Sequence, residues 1–72
     1  MLTRDIIIAE IKSYYKQMFT AEDIIDLYYY LFAASAIIKL GYDLGLLLHD
    51  ETKKAIDVIY DKFEILQERL EK

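Results

Sequence analysis

Apolar and polar positions follow a helical period in the first and last thirds of the chain, but the period disappears between Ile24 and Leu40. In that stretch, IIDLYYYLFAASAIIKL, no charge occurs between Asp26 and Lys39. Leu27, Tyr28, Tyr29, Tyr30, Leu31, Phe32, Ile37 and Ile38 spread around the whole circumference of a helix instead of keeping to one face. A helix apolar in every direction has to be covered from several sides, so the neighbouring segments are expected to pack around this one.

The first segment opens at Thr3, a capping residue, with Asp5 in the first turn, where a negative charge suits the helix dipole. At about 100° per residue, Tyr14, Ile7, Met18, Ile11, Tyr15, Ile8 and Phe19 share one arc, and Lys16, Ser13, Gln17 and Glu10 oppose it. This predicts an amphipathic helix over about 4–19. Thr20, followed by Glu22 and Asp23, reads as the next N-cap, with Phe19 and Ile24 flanking it as a hydrophobic staple. The second helix is then expected over 21–40, antiparallel to the first because the connection is short. Gly41 and Gly45 are the only glycines. A bend or end near Gly41 is the favoured reading. In the other, the helix continues to 48 and the glycines form a smooth patch for close packing.

His49 and Asp50 form the second connection, with Asp50 as N-cap and Glu51 in the first turn of a third helix over 51–70. Thr52, Ile56, Ile59, Phe63, Leu66 and Leu70 recur at alternating spacings of four and three, a seam that packs along another helix. Val58 and Ile65 lie off the seam, seven apart on one side, and are expected to form a minor second contact stripe in an oligomer. The fold class expected is therefore all-α: a single domain over 1–72, a three-helix antiparallel bundle around a central apolar helix.

Composition changes this picture in one respect. With 72 residues, hydrophobic content of 56% and no cysteine, the chain has little core volume and no disulfide to support it. Oligomerisation is the remaining support, and a homodimer is expected, with Tyr28, Tyr29, Tyr30, Phe32 and Ile37 at the shared interface. Three consecutive tyrosines point about 100° apart, so one helix contact cannot bury them all. The absence of cysteine also excludes thiolate zinc sites and thiol catalysis, and fits a reducing, cytoplasmic setting. No secretory signal is read in the first residues. The charge-free run Leu27–Ile38 measures only about 18 Å as a helix against a hydrocarbon core of roughly 30 Å, so no membrane span is expected.

The net charge of −4 argues against direct nucleic-acid binding, which draws on clustered lysine and arginine. Asp57, Asp61, Glu64 and Glu68 fall within a strip of about 60° on helix 3, opposite the seam. Like charges four apart cost a helix a few tenths of a kcal/mol, so local stability does not account for them. They read as a solvated face or as a docking strip for a basic partner. As a mimic of nucleic acid the strip is sparse, four charges over about 16 Å of helix against one per roughly 1.7 Å of duplex. Lys53 and Lys54 before the strip and Lys72 after it offset only its ends.

His49, beside Asp50 and Glu51 and near Asp43, is the one candidate for a metal or acid/base site. The carboxylates around it are already explained by helix capping, and zinc needs three or four ligands in fixed geometry. Ser35 has no histidine at a readable spacing, and there is no glycine-rich phosphate loop. No catalytic residue, cofactor or metal is expected, and an enzyme is not. The expected function is a small acidic interaction module that binds and modulates or inhibits a larger protein, including one that itself binds nucleic acid. Phage- and plasmid-encoded inhibitors share this size, charge and helicity, a general likeness that matches no motif. The alternative is a structural oligomerisation subunit of a larger assembly, and a weaker one is an enzyme built around His49.

Overall fold

The computed structural model describes residues 1–71, and the described residues form three helices with no strand: α1 (Arg4–Met18), α2 (Ile24–Asp43) and α3 (His49–Glu71). Lys72, expected to offset the end of the acidic strip, lies outside the described residues. Helix α2 is central: α1 and α3 both pack along it and barely touch each other. The approach of Ile7 to Gly41 puts the start of α1 beside the end of α2, and Tyr28 against Phe63 puts the start of α2 beside the second half of α3. Consecutive helices are thus antiparallel, and the three make a flattened body whose Cα extents are 40 × 22 × 14 Å.

The core is made of Ile7 and Met18 from α1, Leu27, Leu31, Ala34 and Ile38 from α2, Leu47 from the second connection, and Ile59, Phe63 and Leu66 from α3. These α2 residues recur at three and four, so the helix that is apolar all round does choose one face to bury. No polar or charged residue is buried among the described residues, although the Ser35 hydroxyl is enclosed without a hydrogen-bond partner. In α1 the expected arc holds: Ile7 and Met18 are buried, and Ile8, Ile11, Tyr14 and Tyr15 pack beside them. Phe19 departs from it, stacking edge-on against Tyr15 and staying about half exposed at the helix end.

Each helix boundary has a local cause. Thr3 caps α1 as expected, its hydroxyl accepting from the Ile6 N–H at 3.3 Å. Thr20 does not cap α2. It closes the end of α1 by donating its hydroxyl to the Gln17 carbonyl at 2.9 Å, and Asp23, in extended backbone, caps α2 by accepting from the Asp26 N–H at 2.8 Å. Helix α2 therefore starts three residues later than expected, and the staple between Phe19 and Ile24 is not available.

Nor does α2 end at Gly41. It runs on to Asp43 and stops in a Schellman motif, with Gly45 at a φ of +73°, the Leu46 N–H on the Gly41 carbonyl at 2.8 Å and the Gly45 N–H on the Tyr42 carbonyl at 3.0 Å. Gly41 serves another purpose. A Cβ there would lie 2.8 Å from Ile7 Cγ2 and 2.9 Å from Leu47 Cδ1, so the missing side chain is what lets three segments converge.

Helix α3 starts at His49, two residues before the expected position, and Asp50 is inside its first turn instead of capping it. The cap position falls to Leu48, which has no side-chain acceptor. Glu51 supplies the compensating bond, accepting from the Leu48 N–H at 3.0 Å as the glutamate of a capping box does. Along the seam, Ile59, Phe63 and Leu66 are buried, whereas Ile56 sits at the rim.

Candidate interaction surfaces

The acidic strip is positioned by the seam behind it. Because Ile59, Phe63 and Leu66 face α2, Asp57, Asp61, Glu64 and Glu68 face away from the body, and all four are exposed. None takes part in an ion pair or side-chain hydrogen bond among the described residues. The two ion pairs are elsewhere, Arg4 with Glu51 and Lys39 with Asp43, the latter at 2.7 Å. The Arg4 guanidinium grips Glu51 through both carboxylate oxygens. Together with the Leu48 N–H, it holds the Glu51 carboxyl down at about 2. Hydrogen bonding to Glu51 in turn raises Arg4, and hydrogen bonding to Asp43 raises Lys39.

A second surface runs along α2 on the side turned away from its buried face. Ile25 is 75% exposed, Tyr29 63%, Phe32 61% and Tyr28 38%, with Ala36 and Leu40 continuing the line. At spacings of four, three, four and four, Ile25, Tyr29, Phe32, Ala36 and Leu40 share one face. Tyr28 bridges this face to the core: it stacks on Phe32 at 5.8 Å and leans on Phe63 at 5.1 Å. The residues expected at an oligomer interface thus divide. Tyr28, Tyr29 and Phe32 are on the open face, whereas Tyr30 and Ile37 are half-buried at the edge of the protomer's own core, with Tyr30 edge-on to Tyr29 at 5.5 Å. Ile25 and Leu40 belong to the open face and were missed. Their spacing to Tyr29 and Phe32 was readable, but which side of α2 stays open was not.

A third feature, not anticipated, is the groove between α1 and α3. It encloses about 420 Å³ over a floor of Ile11, Tyr15, Ala55, Val58 and Ile59, with Lys12 on one wall and Lys54 on the other. Val58, expected to form a minor contact stripe with Ile65, is part of this floor, while Ile65 is exposed beyond it.

At the start of α3 His49 lies 6.0 Å from the Tyr42 ring, in a shallow apolar hollow of about 260 Å³ with Thr52, Lys53, Ile56 and Asp57. Among the described residues no group of three histidine, cysteine or carboxylate side chains is placed to hold a metal ion.

By length and composition alone, α2 is apolar enough to cross a membrane. Its 20 residues measure about 30 Å, longer than the charge-free run because Asp26, Lys39 and Asp43 fall within it. A core helix meets the same criterion, and α1 and α3 cover one side of this one.

No family model matches the chain, and neither the search of curated proteins nor that of solved structures found a match.

Proposed function

We propose that the protein is a small acidic interaction module that docks a basic protein surface through Asp57, Asp61, Glu64 and Glu68 and associates with a second copy of itself. The observation that carries this reading is the strip itself: four carboxylates on one exposed helix face, none of them in an ion pair among the described residues. Their mutual repulsion is relieved when a cationic partner arrives, so the cost to the free helix becomes part of the binding free energy. A larger protein with an arginine- and lysine-lined groove, of the kind that holds nucleic acid, is the matching chemistry, and occupying that groove would inhibit it.

The test is titration with an arginine- and lysine-rich peptide at two salt concentrations, followed by fluorescence anisotropy. The double variant Asp61→Lys/Glu64→Lys is expected to lose binding, while Glu10→Lys/Glu22→Lys, with the same change in net charge, keeps most of it. Equal loss in both variants would reduce the interaction to overall charge and remove the strip from consideration.

A second reading, a structural subunit of a larger assembly, is favoured by the uncovered face of α2. It differs in outcome, because reversing the strip would leave such an assembly intact. An enzyme around His49 has the least support, since its ring packs against Tyr42 and no metal-binding set surrounds it among the described residues. His49→Ala tests that alternative through whatever activity the protein displays.

A further inference from the structure

We infer that the partner of the open α2 face is a second copy of this chain, paired antiparallel about a two-fold axis near Phe32 and Ala33. This rests on the self-association proposed above and adds its geometry. Area is the first argument. The accessible surface is 5166 Å², against roughly 4,650 Å² expected for a compact 8.5 kDa monomer. Taking about 200 Å² per large side chain, the exposed fractions of Ile25, Tyr28, Tyr29, Phe32 and Leu40 come to roughly 550 Å² per protomer. Two such faces together bury about 1,100 Å², just above the roughly 1,000 Å² that a specific interface needs. The face is therefore large enough for a dimer that dissociates on dilution.

Charge and shape set the direction. The start of α2 carries Glu22, Asp23 and Asp26 without a cation, and Lys39 near its end is the only basic residue on the helix. Parallel pairing would set the two acidic starts side by side. Antiparallel pairing separates the two starts and brings Asp26 to the level of the other chain's Lys39, a lysine that also pairs with its own Asp43. Side-chain size agrees. Parallel pairing of this face opposes Tyr29 to Tyr29 and Ala36 to Ala36, bulk on bulk and gap on gap. With the axis near Phe32 and Ala33, Tyr29 instead fills the space above Ala36 of the other copy, and Ile25 meets Leu40 at each end of the contact.

The natural chain contains no cysteine, so single cysteines report on the pairing without background. Ile25→Cys and Leu40→Cys variants are oxidised separately and as an equimolar mixture, and read on a non-reducing gel. Residues 25 and 40 are about 22 Å apart along the helix. The expected result is cross-linking in the mixture and almost none in either variant alone, because identical positions then lie far apart. Self-cross-linking of each variant alone would mean a parallel pair and overturn the inference.

Light scattering of the unmodified protein across a concentration series separates this from the proposal beneath it. A monomer at every concentration refutes self-association altogether, and binding of that monomer to lipid vesicles would assign the face to a membrane. A dimer that none of these cysteines captures leaves self-association standing and refutes this face. As an independent check, Phe32→Asp is expected to give a monomer with unchanged helicity, because Phe32 is not part of the protomer's core. A Phe32→Asp protein that remains dimeric would also overturn the inference.

Discussion

Replacing Gly41 with alanine sets two effects of opposite sign against each other at one position. Gly41 lies inside α2 with helical backbone, so alanine gains about 1 kcal/mol in helix propensity. The added methyl, however, would stand 2.8 Å from Ile7 Cγ2 and 2.9 to 3.1 Å from the end of Leu47. The Leu47 atoms belong to a flexible side chain. Ile7 Cγ2 does not: it is attached to a β-branched carbon of a residue only 1% exposed, so it yields only if α1 moves away from α2. Overpacking of this kind costs about 1–3 kcal/mol. The net expectation is destabilisation by about 1 kcal/mol, which for a chain of this length lowers the melting temperature by about 4–8 °C. The assay is urea and thermal unfolding followed by circular dichroism, with all variants at one protein concentration. Ile7→Leu removes the offending branch at nearly constant volume, so Gly41→Ala should cost at least about 0.5 kcal/mol less in that background. If Gly41→Ala stabilises the wild-type background by the full propensity gain, the three segments are not in close contact at Gly41 and the packing argument fails.

Three further outcomes follow from single interactions. Asp23→Ala is expected to destabilise the protein by about 1 kcal/mol in urea unfolding, since it removes the α2 cap, whereas Thr20→Ala should cost clearly less. Ser35→Ala should be neutral or stabilise by up to about 1 kcal/mol in the same assay, because the hydroxyl it deletes is enclosed without a partner. The Glu51 carboxyl is held at about 2, below its ordinary value of 4.5, so the folded state binds its proton more weakly than the unfolded chain does. Its contribution is complete above the ordinary carboxylate range and is lost as pH falls from about 4.5 toward 2. Glu51→Gln should flatten that part of the acid-unfolding curve, and an unchanged curve would show that the ion pair with Arg4 does not act on stability.

What could be read in advance follows from where the determining information lies. Helix α1 and the seam of α3 were legible because their apolar residues keep a period, so Ile7, Met18, Ile59, Phe63 and Leu66 declared their direction locally. Helix α2 did not, since a stretch that is apolar all round points to no face. Only the positions of α1 and α3 decide that Leu27 and Leu31 are covered and Ile25 and Phe32 are not. Its start was misread because TAED holds two capping residues, and both are used, Thr20 to end one helix and Asp23 to begin the next. Its end was misread because two glycines four residues apart are alike in sequence. One of them supplies a positive φ and the other a close approach, a distinction that depends on Ile7, far away in the chain. The ion pair of Arg4 with Glu51 and the groove beneath Lys12 and Lys54 likewise join residues that no local pattern connects. The acidic strip was legible as a pattern, and the fold turns it outward because its residues oppose the seam.

That outward direction has a consequence for binding. The seam of α3 faces α2 and the strip faces the other way, so pairing through the open side of α2 leaves Asp57, Asp61, Glu64 and Glu68 free in both copies. Such a dimer is bivalent. On a surface densely coated with the basic peptide, two strips bind at high effective concentration, and avidity exceeds the single-site affinity by about 10²–10⁴-fold where the geometry allows both to engage. The Phe32→Asp variant, with intact strips but no pairing, should therefore match the wild type in binding to the free peptide and dissociate much faster from the coated surface. Surface plasmon resonance at two coating densities reads the difference. If both proteins leave the dense surface at the same rate, either the two strips cannot reach neighbouring peptides or the second copy is absent. Light scattering at the same protein concentration decides between these explanations.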